Sequence, residues 1–457
     1  MPQTLLASEK ALNHEDGVNL ASGLADIKNA IYGIGDNGNL AAIEVSPAES
    51  AHAVGTYLTY HGILYEVTAA IAIGDSLAEG TNIVKKTVDE RFNEIEDFID
   101  TKFDDDWTYI ANQVAHGNGA RLYPVASQFI IPHTEYGNMV FDVLHHITPA
   151  SDAMLKAILP AGKQYGMVIG MHNVIYSTQF DREEAFYYAE NGLTAGTYNI
   201  TVKAQPWYTA DENKTFQFTL ASDVPAGGIL CWGDYNASRE GKNVTAYASR
   251  SASSAQQTAT MTEGSGGTSL GATDGNSTHV NHFHRTMFGS NDWEESGVRQ
   301  WLNTDAAANN WWEPKTEWDR IISYSNRNGF LKGFSADFVG ALLNGTHKNR
   351  SNSVYDSHGT SQAYYTTDKM FLLCNEECGL AQEQSIECGK LFDYYLNATN
   401  TDRIKYDITN SATARYWWLR SPHPSHSIFE RYVNTSGALG NDFANYGYGV
   451  AAACIIG

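Results

Sequence analysis

The C-terminal residues 415–457 constrain the fold more than any other stretch, because a rigid aromatic opening precedes an unusually polar segment. The opening, residues 416–422, reads YWWLRSP. Residues 423–448 are rich in Ser, His, Asn, Tyr and Gly, and residues 449–456 have the pattern of a closing buried strand. Tyr and Trp offer large contact area at low entropic cost, while Ser, Gly and Asn offer adaptable hydrogen bonds. We predict a recognition surface held between two core strands; a Gly-rich surface loop is the alternative.

Three blocks of the chain carry a resemblance to a known family. They are residues 291–303 (NDWEESGVRQWLN), residues 367–373 (TDKMFLL) and the tail from residue 416. In this order they resemble the lectin-like domains of bacteriophage tail and receptor-binding proteins, some of which are variable proteins of diversity-generating retroelements. The resemblance implies an α+β fold with a C-terminal domain related to C-type lectins and to the formylglycine-generating enzyme. The chain departs from the family pattern at Ala452, where proline is usual.

The resemblance also implies which residues contact a ligand. In retroelement variable proteins, mutagenesis aimed at template adenines turns Asn codons into a set that includes Ser, Tyr, His, Asp, Phe, Ile and Gly. Residues of that kind recur throughout the polar segment, although exposed loops favour many of the same types. The candidate ligand-binding residues are His423, Ser425, His426, Ser427, Phe429, Tyr432, Asn434, Asn441, Asp442, Asn445, Tyr446 and Tyr448. We expect the hot spots among the aromatic members.

Length and charge exclude several classes of protein. At 457 residues the chain has room for two to four domains with cores of their own. A net charge of −22 argues against nucleic acid and against an anionic membrane as partners, because both require concentrated Lys and Arg. The five cysteines are an odd number with no two-residue spacing, which disfavours a disulfide framework. The sequence shows no secretory signal and no run of eighteen apolar residues, so we expect a protein made in the host cytoplasm without membrane insertion.

The pattern along the chain predicts an attachment region, a stalk and a head. Residues 56–68 alternate around a His-Gly turn and predict a hairpin. After residue 192 the sequence alternates with period two, which predicts an inserted β-sandwich. The expected parts are an N-terminal attachment region (1–48), a small β module (49–84), a helical stalk (85–114), the first part of the lectin-like domain (119–190), the inserted β-sandwich (191–284) and the remainder of the lectin-like domain (285–457).

An apolar stripe between residues 88 and 103 predicts the stalk helix. Its members are Val88, Phe92, Ile95, Ile99 and Phe103, with charged residues between them. This spacing covers about two heptads, which also fits any helix packed on a core. Beside phage-like modules, however, it favours a homotrimer.

Motifs for catalysis are weak in this sequence. The oxidase branch of the resembled fold depends on a cysteine-based metal site, but Cys374, Cys378 and Cys388 lack that context and are more often buried thiols. The pairs Glu294-Glu295 and Glu376-Glu377 do not face a common substrate, since adjacent side chains diverge. We expect no nucleophile elbow, and a phosphate loop is missing from the sequence. We expect no enzymatic activity and no cofactor.

Metal binding has two weak candidates. His282 and His284 would share one face of a strand, but a histidine cluster without a carboxylate is more often packing. The Glu-Pro-Asn motif of calcium-dependent lectins is replaced by residues 313–315, Glu-Pro-Lys, which put a cation where an amide ligand is needed. Sugar binding without calcium, through aromatic faces, stays open. The adjacent His145 and His146 would point to opposite faces of a strand and are expected to be structural.

The dense tryptophans of the C-terminal half are expected to be core residues. Trp417 and Trp418 alternate across a strand, so one should face inward while the other supports the polar segment. Arg420 is expected to pair with a buried carboxylate that fixes the end of the strand.

Together these features predict a phage-type receptor-binding protein, a host adhesin located on the virion tail or a surface fibre. Its expected partners are a host cell-surface protein or glycan at the C-terminal surface and other virion proteins at the N-terminal region. The alternative is a structural virion protein, such as a head fibre or decoration protein, without receptor binding. A polysaccharide-cleaving enzyme is a third, lesser possibility.

Overall fold

The described part of the chain divides into two units, residues 1–109 and residues 110–457. The computed structural model describes residues 43–61, 63–85, 106–201, 214–232, 243–252, 254–272, 288–315, 319–353, 358–359 and 361–457. Three predictions therefore lie wholly or mostly outside the described residues, namely the N-terminal attachment region (1–48), the stalk helix over residues 88–103 and the histidine cluster at residues 279–284.

The first unit contains a four-stranded sheet. Its strands, in spatial order, are β1 (Ile43–Glu44), β2 (Tyr57–Tyr60), β3 (Ile63–Val67) and β4 (Ile83–Lys85). The hairpin expected around the His-Gly turn is confirmed, because β2 and β3 pair antiparallel from Tyr57–Glu66 to Tyr60–Ile63. His61 adopts a positive φ of 54° in this turn. Leu58, Val67 and Ile83 are fully or almost fully buried in the small core of this sheet.

The second unit is built from many short elements. The helix α1 (Trp107–Ala115) includes the boundary after residue 109. The first part of the second unit continues with α2 (Gly119–Leu122), β5 (Gln128–His133), β6 (Gly137–Ile147), α3 (Ala153–Ile158), β7 (Gly166–Met171) and β8 (Ile175–Gln179). Its middle part contains β9 (Tyr187–Ala189), β10 (Gly196–Thr201), β11 (Thr215–Leu220), β12 (Gly228–Trp232), β13 (Asn243–Tyr247), β14 (Gln257–Thr260), β15 (Thr262–Glu263) and β16 (Thr268–Ala272).

The last part of the second unit contains two helices and ten strands. They are α4 (Gly297–Leu302), α5 (Ala336–Ala341), β17 (Gly345–Arg350), β18 (Ala363–Asp368), β19 (Met370–Phe371), β20 (Lys405–Asp407), β21 (Asn410–Arg415), β22 (Trp417–Pro422), β23 (Phe429–Val433), β24 (Leu439–Phe443), β25 (Gly447–Val450) and β26 (Ala453–Ile456). Short 3-10 helices span Phe330–Gly333, Asp393–Tyr395 and Thr401–Arg403. The helices α4 and α5 are capped by Ser296 and Ser335, whose hydroxyls accept backbone N–H groups of the first turn.

Two four-stranded sheets in the middle part share one hydrophobic core. Their strand orders are β15-β11-β10-β16 and β14-β13-β12-β9. Side chains from both sheets, among them Ile200, Phe218, Leu230 and Val244, meet in this core. The period-two alternation of residues 196–201 and 215–220 therefore produced strands, as the sequence predicts.

Two five-stranded sheets carry the C-terminal residues. Their strand orders are β19-β26-β7-β6-β5 and β24-β23-β22-β25-β8. The single closing strand predicted for residues 449–456 is wrong, because β25 and β26 belong to different sheets. Ala451 and Ala452 separate them, and both residues are buried. An uninterrupted apolar run does not reveal such a change of sheet, since residues 449–456 are all buried.

The predicted fold class, α+β with a C-type-lectin-like domain, an inserted β-sandwich and a short oligomerising helix, is wrong. The described residues form 26 strands in seven sheets of two to five strands and only five α-helices. These helices have four to nine residues. The chain is mostly β, with several small sheets. None of the described helices is long and apolar enough to cross a lipid bilayer.

Candidate functional site

The strand β22 forms the base of the candidate site. Trp417 and Trp418 are both fully buried, and each indole N–H donates to a backbone carbonyl. Trp417 donates to Arg403 at 3.0 Å, and Trp418 donates to Thr178 on β8 at 2.9 Å. The two tryptophans therefore have different partners, in agreement with the prediction that only one of them supports the polar segment. Trp418 is the one that contacts tyrosines of this segment, namely Tyr432 and Tyr448.

A buried ion pair holds β22 after the tryptophans. The Arg420 guanidinium donates to both carboxylate oxygens of Glu377, at 2.6 and 2.7 Å. Both side chains are almost completely buried, at 1% and 0% exposure. Glu377 also accepts the backbone N–H of Cys374. The expected pairing of Arg420 with a buried carboxylate is confirmed, and its role is structural.

Three tyrosines form what we call the tyrosine surface, consisting of Tyr416, Tyr432 and Tyr448, and the last two of them contact Trp418. The three ring centroids are 5.1 Å from one another. The rings of Tyr416 and Tyr432 are parallel within 4°, and the Tyr448 ring stands at about 70° to both. Trp418 contacts the Tyr448 ring at 4.7 Å. All three tyrosines are half-buried, so each ring is fixed by packing and still reaches solvent.

Asp442 orders the edge of the tyrosine surface. The Tyr448 hydroxyl donates to Asp442 Oδ2 at 2.5 Å, and Asp442 Oδ1 accepts the Phe443 N–H at 2.9 Å. Burial, followed by this hydrogen bond and by the charge of Asp442, raises the pKa of Tyr448 far above its ordinary value. Tyr448 therefore stays a neutral donor at physiological pH.

Glycine at position 440 makes room for the Tyr432 ring. Gly440 on β24 pairs directly with Tyr432 on β23. A Cβ at this position would lie 2.5 Å from the Tyr432 ring, which is closer than van der Waals contact allows. The side-chain conformation of Tyr432 therefore depends on the glycine of the neighbouring strand.

A second aromatic group lies around the turn before β23. His423 and His426 face each other with their Nδ1 atoms 3.0 Å apart, and the His426 ring contacts Phe429 at 5.2 Å. Burial, and then the charge of Arg431, lower the pKa of His423 to about 3. His423 is therefore neutral at physiological pH. Phe429 is half-buried and packs against the core shared by the two middle sheets, and its role as a hot spot stays a prediction.

The remaining predicted residues serve several purposes. Asn434 Oδ1 accepts the N–H groups of Ser436 and Ala438 and shapes the β23–β24 turn. Asn441 accepts from Arg431 at 2.9 Å. Tyr446 is the most exposed aromatic residue of the segment, at 45%. Ser425 is exposed, and its backbone N–H donates to His423 Nδ1. Ser427 is buried, and the Asn445 backbone N–H donates to the Phe288 carbonyl.

The tyrosine surface includes one residue that the sequence prediction omits. Tyr416 stands two positions before Trp418, so strand alternation would have placed both on one face. The prediction also omits Arg431, which forms a two-point ion pair with Glu383. Glu383 lies 48 positions away in a loop, and no local pattern indicates that contact.

The other side chains considered for catalysis or metal binding make structural contacts. Glu376 pairs with Arg350, and Glu294 lies 3.0 Å from the His358 imidazole. The thiols of Cys374, Cys378 and Cys388 are buried, and burial raises their pKa values, that of Cys388 to about 12. His145 and His146 have different partners, the Asp393 carboxylate and the Tyr123 carbonyl. Within the described ranges, no three His, Cys, Asp or Glu residues are grouped so as to hold a metal ion.

Comparison with known proteins gives one match. No curated protein and no solved structure matches the chain. Residues 266–457 match the family DUF6273, which is described as a domain of unknown function. The matched residues include β17 to β26 and therefore the whole tyrosine surface.

Proposed function

We propose that this chain is a phage-type receptor-binding protein that presents its tyrosine surface to a ligand on the host cell. The observation that supports this most is the trio of half-buried tyrosines at 5.1 Å from one another over a buried tryptophan. Tyrosine is enriched among binding hot spots, because its rigid ring loses little entropy when it is covered.

The geometry favours binding over catalysis. The side chains with acid-base or nucleophilic potential near the surface are held by partners inside the protein, as Glu377 is by Arg420 and Glu383 is by Arg431. The neutral Tyr448 hydroxyl is committed to Asp442. These groups fix a shape, which is what a recognition surface requires.

A homotrimer on a particle would strengthen such binding. Several copies acting together convert later contacts into intramolecular ones, so that avidity exceeds single-site affinity by about 10² to 10⁴. We propose that the N-terminal region attaches the protein to other virion proteins and that the C-terminal unit faces the host.

Binding to a panel of bacterial strains tests the function. The test variant combines Tyr416→Ala, Tyr432→Ala and Tyr448→Ala, and the control is Tyr365→Ala, which removes a 60%-exposed tyrosine of β18. Phe429 stays intact, because its removal would disturb the core. We expect strain-selective binding by the wild type and the control and loss of binding by the folded triple variant.

Two outcomes would contradict the proposal. If the triple variant binds as well as the wild type, the receptor surface lies elsewhere. If the wild type binds no strain and removal of residues 266–457 prevents particle assembly, the chain is a structural virion protein.

A further inference from the structure

The tyrosine surface carries one carboxylate that has no basic partner. Asp442 accepts hydrogen bonds from the Phe443 N–H and the Tyr448 hydroxyl, both of which are uncharged donors. Among the residues that the structure describes, no Lys, Arg or His forms an ion pair with Asp442. Asp442 is only half-buried, so an incoming group can reach it.

The arginines nearest in sequence to the surface residues are already neutralised. Arg431, which directly precedes Tyr432 on β23, forms a two-point pair with Glu383. Arg415, which precedes Tyr416, pairs with Asp407 at 3.0 Å. Because each arginine has its own carboxylate, the charge of Asp442 is left uncompensated.

The rings beside Asp442 also favour a cation. The face of an aromatic ring carries partial negative charge and attracts ammonium and guanidinium groups. The chain itself provides an example of this contact, because the Arg415 guanidinium lies 3.9 Å from the centre of the Tyr176 ring. Tyr416, Tyr432 and Tyr448 offer the same kind of ring next to a free negative charge.

The shape of the surface favours a protein partner. The three tyrosine rings, whose centres are 5.1 Å apart, lie in contact with one another. Small ligands, in contrast, bind in concave pockets that cover most of their surface. The best-defined cavities of the described chain, of about 290 and 250 Å³, are lined by other residues, between Ala115 and Tyr165.

We propose that the tyrosine surface recognises a basic patch on a cell-surface protein, with an arginine or lysine of the partner placed over the tyrosine rings and against Asp442. This inference rests on the proposed receptor-binding function and specifies the class of partner. The high negative charge of the whole chain, −22, would assist the approach of such a partner.

A peptide assay tests the charge recognition without a host cell. The full-length protein is titrated against an immobilised peptide of alternating glycine and arginine and against the same peptide with citrulline, which keeps the shape and lacks the charge. We expect preference for the arginine peptide, which weakens about three- to tenfold in Asp442→Asn, as for one partly exposed ion pair beside an aromatic ring. Glu190→Gln is the matched control, because it removes one exposed carboxylate in the turn after β9.

Equal weakening by Asp442→Asn and Glu190→Gln would overturn the proposal, since attraction would then follow net charge alone. Equal binding of the arginine and citrulline peptides would overturn it as well.

A second arm uses a bacterial strain that the wild type binds, before and after surface proteins are removed with protease. Loss of binding supports a protein partner, whereas retained binding shows a glycan partner and overturns this inference while the receptor-binding function stands. If the protein binds no strain, that function fails and the peptide arm alone decides on charge recognition.

Discussion

Replacing Glu377 by glutamine should destabilise the second unit strongly, because the change leaves a charge buried without its counterion. The Arg420 guanidinium is 1% exposed and would keep only neutral acceptors, among them the Leu372 carbonyl at 2.6 Å and Asn349 Oδ1 at 3.2 Å. Removing one partner of a buried ion pair costs about 3–5 kcal/mol. Since domains of this kind have unfolding free energies of about 5–15 kcal/mol, the loss is a large fraction of the total.

Urea denaturation followed by tryptophan fluorescence measures this loss. No tryptophan precedes Trp107, so the signal reports chiefly on the second unit. With a urea m value of about 3 kcal/mol per M, a loss of 3–5 kcal/mol lowers the midpoint by about 1 M or more. The control is Glu387→Gln, which removes the partner of Lys390 in an exposed pair and should shift the midpoint little.

A double variant separates charge from packing. Replacing both Glu377 and Arg420 by methionine removes both charges together and should recover much of the stability that Glu377→Gln loses. If Glu377→Gln shifts the midpoint no more than Glu387→Gln does, the reasoning about the buried pair is refuted.

Three further predictions concern the surface and its support. Gly440→Ala should push the Tyr432 ring aside and weaken host-cell binding about three- to tenfold at nearly unchanged stability. The control is Gly340→Ala, where a Cβ meets nothing within 4 Å, and equal binding by the two variants would contradict the role of Gly440. Phe429→Ala should lower the unfolding free energy by about 2–3 kcal/mol, less than for a fully buried ring, and an unchanged urea midpoint would argue against its core position. Burial raises the pKa of Glu430 well above its ordinary value, so this carboxyl stabilises the fold fully below pH 4.5 and progressively less as the pH rises through its folded pKa. Glu430→Gln should flatten this decline of stability with pH, and identical pH profiles of stability for the variant and the wild type would refute the raised pKa of Glu430.

The sequence predicts local structure well where one face of a strand is buried and the other is not. The alternation of residues 56–68 predicts β2 and β3, and the alternation after residue 192 predicts β10 and β11. The buried partner of Arg420 was also predictable, because a guanidinium inside an apolar strand requires a carboxylate. Which carboxylate it would be was not, since Glu377 comes from a loop 43 positions earlier.

The sequence fails where long-range contacts decide. The α+β fold class that the resemblance implies is wrong, because the described chain is mostly β in several small sheets. Phe429 and Tyr432 look alike as aromatic residues of a polar segment, yet Phe429 joins a core formed by sheets of the middle part and Tyr432 lies in the tyrosine surface. Only the tertiary contacts of their strand separate these two roles.

The residues that would contact a ligand differ from those that hold them in place. Tyr416, Tyr432 and Tyr448 come from three separate stretches of the chain, so folding of the sheet, and not ligand binding, orders their rings. Trp418 supports Tyr432 and Tyr448, and Gly440 makes room for the Tyr432 ring. Because ordering is complete before binding, polar neighbours such as Asn441 and Tyr446 can change without disturbing the support, and affinity can then vary while stability does not.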